Sequence, residues 1–224
     1  FKKRYLVEKQ KLFRVSRLEE NNIDREVEDK VIEKLRNLAP SAKGIVVSDF
    51  VYGVVTPRIL KEVQKLAIKY NLLLFGDLQC SSQVGSIAKF EDFTLLSPNE
   101  REARLALKDK DSGLEQLSQK LLRTTNAKYL IMKLGAEGFI AYMRNNHGEI
   151  TSQPFPALSV NPLDVAGAGD SLLALYAACL SSGQSVMNTA ALACCMTAIA
   201  VETMGNTPIS SQTLRNGIQE LLKK

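Results

Sequence analysis

The stretch DVAGAGD, residues 164–170, stands directly before an apolar helix that we predict over residues 172–180. Small residues let the backbone approach a ligand closely, and the free N–H groups at a helix start attract anions. A tight loop in which Asp170 caps the helix explains the local pattern equally well. The chain has no Gly-x-x-x-x-Gly-Lys-Ser/Thr loop, and Leu172 replaces the last glycine of a Gly-x-Gly-x-x-Gly loop. The stretch alone therefore indicates an anion-binding loop or a plain helix start.

Strands and helices alternate through the rest of the chain. We predict strands over residues 44–49, 72–75, 93–96, 129–134 and 139–143, with a turn at residues 145–148 before a further strand. Helices are predicted over residues 23–38, 57–70, 98–107, 111–123, 185–201 and 211–222. This order predicts one α/β domain over residues 1–224, a three-layer α-β-α, Rossmann-like fold with a mainly parallel central sheet. Residues 1–17 are predicted to contribute a separate pair of strands.

Polar residues follow several of the predicted strands. Asp49, Asp77, Asn99 and Lys133 each stand at such a position. Ligands bind at the carboxyl ends of parallel strands, so we expect these side chains to converge on one edge of the sheet.

Composition narrows the class of protein. The chain has 224 residues, a net charge of +5 and no tryptophan, and its positive charges are scattered, which disfavours a nucleic-acid partner. The four cysteines lack a Cys-x-x-Cys spacing and indicate buried thiols in a reducing, cytoplasmic compartment. No segment has the pattern of a signal peptide or a membrane span. His147 is the only histidine and stands in a turn, which argues against Ser-His-Asp catalysis and a multi-histidine metal site.

Four segments together resemble the ribokinase-like (PfkB) carbohydrate kinases. DVAGAGDS at residues 164–171 resembles the family signature Asp-Thr-x-Gly-Ala-Gly-Asp-x, and PNERE at residues 98–102 resembles its Pro-Asn-x-x-Glu motif. KLGAEG at residues 133–138 is similar to the glycine turn beside the nucleotide, and residues 198–208 are similar to the last nucleotide-side segment. The four segments occur in the family's order, and the match runs from about residue 44 to the C-terminus.

A narrower resemblance is to the D-glycero-D-manno-heptose-7-phosphate kinase branch, in residues 3–15 and 48–56. That branch has a Ser-Asp-Tyr-Gly-Lys-Gly segment, and this chain places Val51 and Tyr52 where the Gly and Lys stand. Where the branch has Asp-Pro-Lys, this chain reads Asp77, Leu78 and Gln79. These departures leave the identity of the sugar open.

The resemblance implies roles for individual residues. Asp170 would be the catalytic base, and the backbone N–H groups of Ala168, Gly169 and Asp170, with Gly167, would stabilise the transferred phosphoryl group. ATP and Mg²⁺ would be the cofactors, with Asn99 and Glu102 holding the magnesium through water. The remaining nucleotide contacts would come from Lys133, Gly135, Gly138, Ala200 and Gly205. Alternatively, Asn99 is an ordinary N-cap, Glu102 a solvated helix residue and Lys133 an exposed lysine at a strand end.

Two further sets of residues carry weaker expectations. Asp164 and the carbonyl groups of Ala166, Thr203, Ala200 and Gly205 match positions that bind K⁺ in relatives, although Asp164 could equally form a turn. A further ligand position falls on Ile209, which has no side-chain oxygen. Asp49 and Asp77 are the substrate-side candidates.

The resemblance also implies that the N-terminal part of the family's fold is absent. We therefore expect a fragment of a longer kinase that keeps ATP affinity, phosphorylates a small sugar or sugar phosphate poorly by itself, and could form a homodimer. The alternative is a non-catalytic nucleotide-binding or regulatory module of the same fold. A dehydrogenase is disfavoured by Leu172.

Overall fold

The computed structural model describes residues 2–7, 10–17, 21–79, 85–159, 162–203 and 207–221. Its eight strands are β1 (Lys2–Val7), β2 (Gln10–Ser16), β3 (Gly44–Asp49), β4 (Leu73–Leu78), β5 (Leu95–Leu96), β6 (Tyr129–Lys133), β7 (Phe139–Arg144) and β8 (Ile150–Phe155). The seven α-helices of this part of the chain are α1 (Arg25–Leu38), α2 (Pro57–Tyr70), α3 (Glu100–Leu107), α4 (Leu114–Thr125), α5 (Ala168–Ser181), α6 (Val186–Glu202) and α7 (Ser211–Leu221).

Six strands form the central sheet in the order β3-β4-β5-β6-β7-β8. The pairs from β3 to β6 are parallel, and β7 and β8 are added antiparallel. β1 and β2 form a separate antiparallel pair, as predicted. The predicted three-layer α/β fold with a mainly parallel sheet is confirmed.

Two hydrophobic cores cover the two faces of the sheet. One core joins the sheet to helices α1 to α4 through residues such as Ile32, Val63 and Leu121. The other joins it to α5 and α6 through Phe75, Tyr176 and Ala190. We call these two sides of the sheet the α1–α4 face and the α5 face.

Helix starts follow the local sequence closely. Thr56 caps α2 by accepting a hydrogen bond from the Ile59 N–H, and Pro57 occupies the first helical position, where no amide donor is needed. Asn99 caps α3 in the same way. Both starts were predicted from the residue types.

Several predicted boundaries differ from the structure. The strand predicted over residues 93–96 is only Leu95–Leu96, and β4 continues to Leu78, so that Asp77 lies inside the strand. The helix predicted from residue 111 begins at Leu114. The carboxylate of Asp109 accepts hydrogen bonds from the backbone of Asp111 and Ser112, and this turn occupies the residues before the helix.

Candidate active site

Asp170 lies in the first turn of α5, at the carboxyl edge of the sheet. The preceding Gly167 has a φ of 84°, a left-handed conformation that favours glycine. Ala168 donates a long, 3.4 Å hydrogen bond from its N–H to the Val165 carbonyl. The N–H groups of Gly169 and Asp170 have no partner within the described ranges, so they are available to an anion.

The Asp170 carboxylate is held by a residue that the sequence did not single out. The Gln79 side-chain amide donates a 3.1 Å hydrogen bond to one carboxylate oxygen of Asp170. Burial and the nearby negative charge of Asp77 raise the pKa of Asp170, while Lys133 and Gln79 act in the opposite direction. The net effect is a carboxylate that is more basic than an ordinary aspartate.

A buried ion pair lies beside this carboxylate. The Lys133 ammonium group donates a 2.6 Å hydrogen bond to Asp77, whose side chain is 1% exposed. A Cβ atom placed on Gly169 would lie 3.4 Å from the Lys133 nitrogen. The structure therefore brings Asp77, Lys133 and Gln79 together around the start of α5.

Strand register explains why these groups meet. Ser48 pairs with Asp77 across β3 and β4, and Asp49 pairs with Leu78. Neighbouring residues in register point to the same face. Phe75 belongs to the core on the α5 face and Leu78 to the core on the α1–α4 face, so Asp77 faces α5 and Asp49 faces away from it.

Asp49 makes a different ion pair on its own face. Its carboxylate accepts hydrogen bonds from Lys89 and from the Val51 N–H, and the aspartate is 3% exposed. The two substrate-side candidates therefore stand at neighbouring strand ends but face opposite sides of the sheet.

Asn99 and Glu102 form a capping box at the start of α3. The Asn99 side-chain oxygen accepts a hydrogen bond from the Glu102 N–H at 2.8 Å, and the Glu102 carboxylate accepts one from the Asn99 N–H at 2.8 Å. Glu102 is buried rather than solvated. Amide and carboxylate oxygens such as those of Asn99 and Glu102 are the groups that can accept hydrogen bonds from the waters of a hydrated magnesium ion.

The glycine turn after β6 has two residues with positive φ angles, which favour glycine. Gly135 has a φ of 62° and Gly138 a φ of 97°. A Cβ atom on Gly138 would lie 2.1 Å from the Phe155 carbonyl oxygen, so only glycine fits there. The Leu134 N–H donates to the Gly138 carbonyl at 2.8 Å, which closes the turn and fixes the end of β6 that carries Lys133.

A cavity of about 730 Å³ opens on the α3 side of this turn. Asn99, Lys133 and Gly135 are among its lining residues, and Lys133 also belongs to the group around Asp170. Its other charged lining side chains are Arg101, Arg104, Lys108, Lys110, Glu100 and Glu137. The excess of positive charge suits a polyanion such as a nucleotide phosphate chain.

The segment with the candidate K⁺ ligands is joined to the end of α6. The Asp164 carboxylate accepts a 2.9 Å hydrogen bond from the Ala166 N–H, and the Asp164 N–H donates to the Val201 carbonyl. Ala200 and Thr203 lie in that same stretch, where the Thr203 N–H donates to the Ala200 carbonyl at 3.4 Å. Gly205 lies outside the described residues.

Within the described ranges, no three His, Cys, Asp or Glu side chains are grouped to hold a metal ion. Among the helices that the structure describes, none combines the length and apolar character needed to cross a membrane.

Comparison with known proteins gives one family. A family model described as pfkB family carbohydrate kinase matches residues 7–213. A bifunctional protein HldE from Geobacter sulfurreducens is 30% identical over 213 residues, covering 93% of this chain and 42% of the relative. The HldE of Campylobacter jejuni serotype O:6 is 31% identical over 220 residues, covering 96% and 45%. The chain thus spans less than half the length of these relatives.

Solved structures show the same fold. Phosphofructokinase-2 from Escherichia coli, in complex with potassium, superposes with a TM-score of 0.72 at 15% identity over 90% of this chain and 64% of that one. Ribokinase from Arabidopsis thaliana, complexed with ribose and ATP, has a TM-score of 0.67 at 18% identity over 88% and 60%.

Proposed function

The chain belongs to the pfkB family of carbohydrate kinases, and we propose that it forms the nucleotide side of a site that transfers the γ-phosphoryl group of ATP to a hydroxyl of a sugar or sugar phosphate. The observation that carries the proposal is Asp170 at the start of α5, with a raised pKa and available N–H groups beside it. Phosphoryl transfer needs a proton acceptor, alignment and charge stabilisation, and this arrangement can supply all three.

Each group around the start of α5 has a distinct task. Asp170 accepts the proton of the attacking hydroxyl through the carboxylate oxygen that Gln79 leaves open. The N–H groups of Gly169 and Asp170 stabilise the charge that develops on the phosphoryl oxygens. Lys133, which lies against Gly169, contributes a positive charge to the same oxygens.

The cofactors are proposed on the same geometry. ATP phosphates would extend from the start of α5 towards the basic cavity beside Gly135. Magnesium, when bound, neutralises phosphate charge, and its waters would be held by Asn99 and Glu102, whose capping box fixes both side chains. Potassium is proposed near Asp164 because the homologous-fold phosphofructokinase-2 structure contains it and the Asp164 and Ala200 segments meet here.

A heptose 7-phosphate is the finer substrate proposal. It is supported by the relatives of about 30% identity that carry the name HldE. Those relatives are more than twice as long as this chain, so the activity and substrate of a whole enzyme are proposals here. A cytoplasmic location is supported by the free thiols of Cys179, Cys194 and Cys195. A homodimer stays a prediction.

The experiment uses the longest natural form of the protein that contains this chain. We expect Asp170→Asn to lower phosphoryl transfer to sugars about 100- to 10,000-fold while ATP affinity, measured by calorimetry, stays within about threefold. Asp111→Asn, at an exposed loop aspartate, is the matched control and should keep full activity. Transfer that survives Asp170→Asn would refute the assignment of the base. ATP binding without any transfer in the unaltered protein would favour the alternative, a nucleotide-binding regulatory module.

A further inference from the structure

Two acidic side chains and one ammonium group meet on the α5 face of the sheet. Asp77 reaches this point from β4, Lys133 from β6 and Asp170 from α5. Lys133 is close enough to both carboxylates to act on each: it donates to Asp77 and lowers the pKa of Asp170 through its charge. Lys133 thus makes a hydrogen-bonded ion pair with Asp77 and only a charge interaction with Asp170.

Asp77 is poorly placed to bind a sugar. Its side chain is 1% exposed and one carboxylate oxygen is taken by Lys133. Burying a carboxylate this deeply is costly unless a positive partner is hydrogen-bonded to it. The second oxygen is also buried, and no donor for it stands in the described residues. Its position therefore suits Asp77 to hold a lysine and not to contact a solvated substrate hydroxyl.

The residue with which Lys133 pairs affects both the free lone pairs and the basicity of the Asp170 carboxylate. If Lys133 paired with Asp170, it would occupy the lone pairs that must accept the substrate proton and would make that carboxylate less basic. Pairing with Asp77 avoids both effects and leaves the ammonium group against Gly169, where phosphoryl oxygens would lie. Gln79, a neutral donor, takes the orienting contact with Asp170 instead.

Building on the proposed function, we propose that Asp77 is a positioning residue: it holds the Lys133 ammonium group away from Asp170 and against the start of α5. Asp77 is then not a substrate ligand, and Lys133 is available to the transferred phosphoryl group. Three described side chains act on Asp170. Asp77 lies in β4, Gln79 directly follows β4, and Lys133 is the last residue of β6.

Asp77→Asn removes the negative charge that retains Lys133. We expect Lys133 to turn towards Asp170 and kcat to fall at least about tenfold, with a smaller change in KM for ATP. The acidic limb of the kcat–pH profile should move to lower pH. The sign follows because removing the Asp77 charge and bringing Lys133 closer both favour the ionised form of Asp170.

Lys133→Gln gives the opposite shift. Glutamine can still donate to Asp77 but carries no charge, so the pKa of Asp170 should rise and the acidic limb should move to higher pH. The Asp77→Asn change should add less than about threefold to the kcat loss when Lys133 is already Gln, because the positioning part of its effect acts through the lysine. If Asp77→Asn does not fold, the size of the Lys133→Gln shift decides, because a lysine held by Asp77 predicts a small upward shift and a lysine paired with Asp170 a large one.

The ion pair on the opposite face provides the control. Lys89→Gln perturbs the Asp49–Lys89 pair, in which a buried aspartate at the end of β3 likewise holds a partly exposed lysine. It should cost comparable thermal stability without moving the pH profile.

The outcomes separate this inference from the proposed function. An Asp170→Asn variant that stays active would refute the proposed function. An inactive Asp170→Asn variant together with an unshifted profile in Asp77→Asn, or a Lys133→Gln profile shifted to lower pH, would overturn the positioning role alone.

Discussion

Gly138 occupies a position where both the backbone conformation and the neighbouring atoms exclude a side chain. Its φ of 97° and ψ of −127° lie where residues with a Cβ atom are strained, which costs about 1–3 kcal/mol. The added methyl carbon of Gly138→Ala would also stand 2.1 Å from the Phe155 carbonyl oxygen and 2.7 Å from the Ala157 nitrogen. Both neighbours are backbone atoms, so the chain itself must move, at a further cost of about 1–3 kcal/mol.

The expected loss is about 4 kcal/mol of unfolding free energy. For a chain of this length it corresponds to a fall in Tm of roughly 8–16 °C. Circular dichroism during heating and urea titration would measure it. ATP affinity should fall as well, because the same turn fixes the end of β6 that carries Lys133.

Gly148→Ala is the matched control. Gly148 also has a positive φ, 84°, but a Cβ atom there would meet no atom within 4 Å. Its loss should stay near 1–2 kcal/mol, the conformational cost alone. Equal losses for the two variants would refute the reasoning, since the contact with Phe155 would then contribute nothing.

Two further predictions concern the frame around the site. Thr56→Ala removes the α2 cap and a hydrogen bond to buried Glu28, so we expect a loss of about 2 kcal/mol in urea unfolding, whereas Thr56→Ser should lose less than half of that. Hydrogen bonds from Ser112 and the Lys120 ammonium group hold the pKa of Asp109 well below its usual range. Stability from this group is complete above its unfolded pKa of about 3.9 and is lost as pH falls towards the folded value. Asp109→Asn should therefore be less stable than the natural chain at pH 7, and the gap should narrow below pH about 4; a gap that is constant with pH would contradict this.

The fold could be predicted largely because local signals agreed with the global arrangement. Thr56 followed by Pro57 starts a helix through its own side chain and ring, and Asn99 does so with Glu102. Such contacts span three residues and are visible in sequence. The start of α4 was misjudged because Asp109 ties the preceding residues into a turn, which the helical periodicity of the following residues does not reveal.

The grouping at the candidate site could be predicted only in part. Asp77 and Lys133 were singled out as residues of one sheet edge and Asp170 as a residue at a helix start, and the structure brings the three together. Gln79 was noted only as a departure from a related motif, and Lys89 was missed. Neither has a local signal: Lys89 meets an aspartate 40 residues away, and Gln79 an aspartate 91 residues away.

The side of the sheet that Asp49 and Asp77 each face could not be predicted from the sequence. A sheet covered on both sides has apolar residues at consecutive positions, so the alternation that would reveal which side chain faces which helix layer is erased. Val47 is buried on the α1–α4 face and Phe75 on the α5 face, although both precede an aspartate by two residues. Only the register between β3 and β4 distinguishes the two acids. That register leaves Asp77 beside the proposed base and gives Asp49 a lysine on the far side of the sheet. Identical residues at equivalent strand ends can therefore differ entirely in the chemistry they support.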